Sequence, residues 1–340
     1  MRVKKTPSKT VSIHDVARAS GVSITTVSRV INKLPSVKEA NRRKVQEVIK
    51  EMKYQPSVLA QRLATGKSNV VALVIPRYEG IFYSFYALEL IRGIGTLCEL
   101  LKLDLLLRLS DSRITPNLKG IGGIIFADII GNRHHIEEAV ALNIPCIVIN
   151  NYAKDLNISC IAVDNLRGAE EAVDYLVSLG HKKIAHITGD LVTQGAALRF
   201  TGYQRSLKKN NIPFVENYVF RTDYSRGQAR AAAEDLLKMR NPATAVFVAS
   251  DSMALEVMAV AREMGKKIPR DLSIVGFDDN PSGLYGPVAL TTVRQPLIKM
   301  AQAGLKELSL LMSGKKNNIE KILLPTELVV RESCQHPVLK

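Results

Sequence analysis

The sequence predicts an all-α helix-turn-helix head followed by an α/β body of two lobes, each a doubly wound parallel sheet. Three observations carry this prediction. Residues 12–32 hold two short amphipathic helix patterns separated by a glycine. Positive charge is concentrated in the same region: residues 1–66 carry fourteen Lys or Arg against four acids, so this segment supplies +10 of the chain's +15. From Val70 onward, apolar strand-like runs alternate with helical segments, which is the pattern of βαβ units.

In the head, Ser12 can cap a first helix, with Asp15 three residues on, where an acid is favoured by the free amides and the helix dipole. Ile13, Val16, Ala17 and then Val27, Val30, Ile31 recur at three- and four-residue spacing and give each helix one buried face. Gly21 falls where the turn needs a residue without a Cβ. Ser23 caps the second helix, so Ile24, Thr25, Ser28 and Arg29 project from its outer face, as a recognition helix in a major groove requires. The dense positive charge suits a polyanion, because each neutralised phosphate releases counterions.

A third helix is expected from a Ser36–Glu39 capping box and the stripe Val45, Val48, Ile49, Met52. The segment 57–66, SVLAQRLATG, is too short to hold a helix alone in water. It reads either as a loose linker or as a hinge that orders on DNA, with Ala60 facing a minor groove and Leu63 wedged between base pairs.

Strands are expected at 70–75, 103–109, 123–127, 146–149, 160–163, 183–187, 245–249 and 272–276. Most are continuous apolar runs, as in sheets covered on both faces. Helices are expected at 167–179, 226–238 and 252–264. Two such halves imply a cleft where strand C-termini converge and ligands bind. Asp164, Ser250-Asp251 and Asp278-Asp279 stand at strand ends, where each is either a helix cap or a ligand group.

Several classes are excluded. There is no catalytic constellation, P-loop, GxSxG, strand-linked GxGxxG or metal-ligand cluster, so no enzyme, cofactor or metal is expected. The glycines 120–123 precede a strand and read as a turn. His134-His135 reads as a solvated helix start. No apolar run is long enough to span a membrane and no secretory signal is visible. Four cysteines without paired spacing fit a reduced compartment, so a cytoplasmic, nucleoid-associated protein is expected.

The segments DVARASGVSITTVSRVIN, SVLAQRLATG, VDNLRGAEEAVDYLVSLGHKKIAHITG, LRFTGYQRSL and DLSIVGFDD, in this order, resemble the lactose-repressor (LacI) family of bacterial transcription regulators, from about Thr10 to Ser333. The resemblance implies a periplasmic-binding-protein-like body and a homodimer. Its heads would read a near-palindromic double-stranded DNA operator, as a repressor, under control of a sugar or sugar derivative in the cleft. By position, Ile24, Thr25 and Arg29 correspond to base-edge contacts, and Ser23, Thr26, Ser28 and Asn32 to backbone contacts. Leu63 corresponds to the intercalating hinge leucine. Phe82 and Tyr83 replace the family's aromatic pair, and Arg199, Tyr224, Ser250 and Asp278 match effector-contacting positions.

The resemblance also implies domain limits. These are a head at 1–56, a hinge at 57–66, a first lobe of 67–164 with 295–322, and a second lobe of 165–294 with 323–340. The ten residues after Val330 carry no leucine heptad, so a dimer is expected and not a tetramer. Three departures stand out: residues 76–81 lack the family's Asp and Asn-Pro, the 107–123 crossover is about eight residues short, and Ser250 replaces a common Asn. They leave open a regulator with a vestigial cleft and a protein partner. A solute-binding protein is a weaker alternative.

Overall fold

The computed structural model describes residues 11–32, 34–54, 68–77, 81–110, 120–153, 155–316 and 318–338. The hinge at 57–66, with Ala60 and Leu63, lies outside the described residues. So do 78–80 of the rewritten stretch and 111–119 of the short crossover. The chain forms two units, Met1–Ser68 and Asn69–Lys340.

Among its described residues the first unit holds three helices: α1 (Ile13–Ser20), α2 (Ile24–Ile31) and α3 (Glu39–Glu51). The Ser12–Asp15 capping box is complete at α1, and Gly21 ends that helix at φ 64, a left-handed conformation that a Cβ would strain. Ser23 caps α2 by accepting from the Thr26 amide. Val16, Ala17, Val27, Val30, Val45 and Tyr54 close a small core. The expected Ser36 cap is not used. Helix α3 starts after Lys38 with no side-chain cap, because Ser36 stands two residues ahead of the N-cap and lies in the preceding turn.

The second unit holds two six-stranded sheets. The first contains β1 (Val70–Pro76), β2 (Asp104–Ser110), β3 (Gly123–Phe126), β4 (Cys146–Ile149), β5 (Ser159–Val163) and β11 (Lys321–Leu324). Its order is β11-β5-β4-β3-β1-β2 and every pair is parallel. Helices α4 (Phe85–Leu101) and α10 (Leu297–Met312) cover one face, and α5 (Arg133–Ala141) packs on the other.

The second sheet contains β6 (Ile184–Ile187), β7 (Val219–Phe220), β8 (Ala245–Val248), β9 (Ser273–Asp278), β10 (Thr291–Arg294) and β12 (Glu327–Val329). Only β12, on β10, is antiparallel. Helices α6 (Asn165–Ser178) and α7 (Gln194–Lys209) cover one face, and α8 (Arg226–Lys238) and α9 (Asp251–Glu263) the other. The chain passes between lobes after β5, after β10 and after β11. The expected first-lobe limit at 322 cuts through β11, which continues to Leu324.

Strands β7 and β12 escape the sequence reading because they are two and three residues long, β10 because it is rich in threonine, and β11 because it is a half-buried edge strand whose apolar run is short. The adjacent histidines are also corrected. His134 is exposed, but His135 is fully buried on the inner face of α5.

Candidate DNA-reading helix and inter-lobe site

Helix α2 has two distinct faces. Val27 and Val30 are buried, while Ser23, Ile24, Thr25 and Arg29 are exposed. The buried valines fix the helix on α1 and α3, so the exposed side chains are carried on a rigid support. Thr26, Ser28 and Asn32 flank that face half-buried. The Ser23 and Thr26 hydroxyls pair at 2.9 Å, and Asn32 Nδ2 donates to Ser28 Oγ at 3.4 Å. Arg29 makes no ion pair among the described residues, unlike Arg18 with Asp15 and Arg42 with Glu39. It is a cation free to meet another partner.

In the body, the structure brings Arg199, Tyr224 and Asp278 together. Arg199 on α7 is buried, with Nε donating to Asn165 Oδ1 at 2.8 Å and Nη1 to the Ala249 carbonyl at 2.5 Å. Its guanidinium stands 3.8 Å from the centre of the Phe277 ring, which fixes the planar head on two neutral acceptors and an aromatic face. Asp278 ends β9 at φ 134, and Gln295 Nε2 donates to its Oδ1 at 2.6 Å. Burial raises the Asp278 carboxyl, and the Arg199 charge partly offsets this.

Asp251, the first residue of α9, accepts from Thr292 Oγ1 at 2.6 Å and from the Asn280 amide at 2.7 Å. Burial, then the Asp278 charge, raises it too. The sequence treats these two carboxyls as separate strand-end acids; the fold makes them an interacting pair.

Tyr224 sits at φ 68, with its ring laid against Gly189, where any Cβ would clash. Burial raises its phenol; Arg199 opposes this, while Asp278 and Asp128 add to it. Asp128 belongs to the first lobe, so Tyr224 faces across the cleft. Phe82 is exposed on the 3₁₀ turn Ile81–Tyr83, and the side chain of Tyr83 lies outside the described set. Ser250 caps α9 by accepting from the Met253 amide at 3.4 Å. Asp164 likewise caps α6 by accepting from the Arg167 amide at 3.1 Å.

Asp128, Gln295, Asn165 and Phe277 were not anticipated. Asp128 follows the apolar run GGIIFA directly, the same strand-end signature that singled out Asp278. The other three carry no signal of their own, since only the fold shows that they surround Arg199 and Asp278. Among the described residues, no group of three His, Cys, Asp or Glu could hold a metal, and no helix is long and apolar enough to cross a membrane.

Residues 12–57 match the family model of bacterial regulatory proteins, lacI family, and 173–334 match that of the periplasmic binding protein-like domain. The chain is 35% identical over 333 residues to the HTH-type transcriptional regulator DegA of Bacillus subtilis (strain 168), covering 95% of this chain and 97% of that protein. The lac repressor dimer bound to operator and the anti-inducer ONPF superposes with a TM-score of 0.82 at 26% identity, covering 96% of this chain and all of that one. A complex of the transcriptional regulator CelR with cellobiose gives 0.72 at 26% identity, covering 95% and 99%. With this likeness along nearly its whole length, the chain belongs to the lacI family of bacterial transcription regulators and is not an enzyme.

Proposed function

We propose that this regulator is a cytoplasmic repressor. As a homodimer it binds a near-palindromic operator, and a polyhydroxylated effector in the inter-lobe cleft sets its DNA affinity. The observation that carries the reading is the exposed face of α2, where Ile24, Thr25 and an unpaired Arg29 stand out from a helix locked by Val27 and Val30. Arg29 suits bidentate contact with a guanine edge. Ser23, Thr26, Ser28 and Asn32 suit phosphate contacts that set the register. Ala60 and Leu63 of the hinge are assigned to the minor groove.

The dimer is supported by large apolar side chains left exposed on the body: Leu88 on α4, Leu107 and Leu109 on the edge strand β2, and Leu284 and Tyr285 after β9. A two-fold operator needs two heads related by a two-fold axis. The effector site is assigned to Arg199, Tyr224 and Asp278, with Ser250, Phe82 and Tyr83 at its margins. A fixed guanidinium, a carboxylate and an aromatic face suit a ligand rich in hydroxyls.

The test uses Arg199→Ala and Asp278→Asn. Either should abolish the effector's influence on operator binding and leave effector-free operator affinity within about two-fold, because removing contacts that differ between two states removes the coupling. Retention of the full response by both variants would remove the effector from this cleft.

A further inference from the structure

The first-lobe wall of the cleft carries a carboxylate to which the family resemblance assigns no role. Asp128 stands two residues past β3, on the side of the sheet where strand C-termini face the second lobe. Its position is fixed by neutral donors. The Ile130 amide donates to Oδ1 at 2.9 Å, and the neighbouring side-chain amides of Asn151 and Asn150 favour its charged form. Asn151 is itself held, accepting from the Ile129 amide at 2.8 Å. Asn150 takes a left-handed φ of 69 to reach its place, a strained conformation that surrounding structure must enforce.

What this carboxylate lacks is a cation. Among the described residues no Lys or Arg forms an ion pair with it. Arg77, following the neighbouring strand β1, is exposed and forms no ion pair with another described residue. Arg133, on the helix just beyond, is taken by Asp155 and Glu137. Across the cleft, Arg199 and Asp278 offset one another. Gln295 spends its amide nitrogen on Asp278, and its Oε1, on a residue only 7% exposed, has no partner. Among the described residues the walls therefore offer acceptors and more carboxyls than cations, with Asp128 the excess on the first-lobe side.

We propose that Asp128 is the first-lobe specificity determinant, and that the ligand carries a protonated amine on a hydroxylated frame, with the ammonium seated on Asp128. This rests on the assignment of the effector to the cleft. Closing the lobes strips water from the carboxylate, which is costly unless a cation comes with the ligand. A neutral sugar leaves that charge uncompensated, and a phosphate or acid sugar adds a second negative charge to it. The Tyr224 ring, half-buried and within reach of the Asp128 charge, offers an aromatic face to the same cation.

The full-length protein is titrated calorimetrically with glucose, galactose and mannose, their 2-amino counterparts and their 6-phosphates. One amino sugar should bind at least tenfold more tightly than its neutral counterpart, with no heat from the phosphates. Asp128→Asn should erase that advantage while the neutral sugar stays within two-fold. Tighter binding of a neutral or phosphorylated sugar, no binding by any amine, or unchanged amine affinity in D128N overturns the proposal. The ranking on the unmodified protein needs no variant, so a folding failure of D128N does not protect the idea. If Asp278→Asn abolishes binding and D128N leaves the amino sugar's advantage intact, Asp128 alone is wrong. If neither variant alters the affinity of a sugar that binds, the cleft assignment falls with it.

Discussion

Gln194 of the second lobe grips the backbone of Tyr152 in the first. Its Oε1 accepts from the Tyr152 amide at 2.7 Å and its Nε2 donates to the Tyr152 carbonyl at 3.3 Å. A side-chain amide here completes both backbone groups of a residue from the other sheet, apart from the three chain crossovers. Each such bond adds about 0.5–1.5 kcal/mol to closure. Gln194→Ala should therefore lower the population of the closed arrangement and weaken ligand affinity by about three- to tenfold, since affinity scales with the competent fraction. Gln194→Glu should do the same, because the carboxylate cannot donate to the Tyr152 carbonyl. Isothermal titration checks both; unchanged affinity in both would show that the pair does not bias closure.

Asp128→Asn should stabilise the ligand-free protein at neutral pH. Burial lifts the Asp128 carboxyl to about 6 in the fold, above the ordinary value near 4. Between about pH 4 and 6 the folded state binds the proton more tightly than the unfolded chain. Stability is therefore lost as pH rises through that window, and the loss is complete above it. The expected gain for D128N is about 1–3 kcal/mol at pH 8, discounted for partial solvent exposure and fading to nothing by pH 4. His186, lowered by burial to about 4, and His181, lowered by burial, act in the opposite sense over the same range. They are common to both proteins, so the difference between two denaturation curves isolates Asp128. A gain that does not vary with pH would contradict the origin assigned here.

Arg29→Ala should cost about 1–3 kcal/mol on the selected operator and clearly less on random DNA of equal length. Fluorescence anisotropy at one fixed salt concentration separates the two. Equal losses on both DNAs would make Arg29 a phosphate contact.

Ser12→Ala should destabilise the head by about 1 kcal/mol. Ser12 Oγ accepts from the Asp15 amide at 3.3 Å and donates to Asp15 Oδ2 at 2.6 Å, so the substitution removes both hydroxyl bonds and leaves only the Ser12 amide on Asp15 Oδ2. Far-ultraviolet melting of the full chain, followed at its lower transition, reads the loss. No change would mean that the box adds nothing beyond the packing of Val16 and Val27.

Much of the fold was legible in the sequence because its signals are local. Ser12, Gly21 and Ser23 mark helix ends through their own backbone chemistry. The runs at 146–149 and 245–249 are apolar throughout because helices cover both faces of their sheets. Strands β10 and β12 were not legible, since Thr291 and Glu327 acquire strand geometry only by pairing with distant partners. The site divides in the same way. Arg199 and Asp278 lie in segments that match the family. Asp128 shows its role only once Tyr224 faces it across the cleft, and Gln295 only once Asp278 takes its amide.

Selection of full-length protein on a random double-stranded library, with complex stoichiometry measured by light scattering on the winner, shows whether paired α2 helices read a two-fold DNA sequence. The expected result is a near-palindrome bound by two chains, with Arg29→Ala relaxing the same base position in both half-sites. Recovery of no consensus, or of an asymmetric site bound by a single chain, would contradict it.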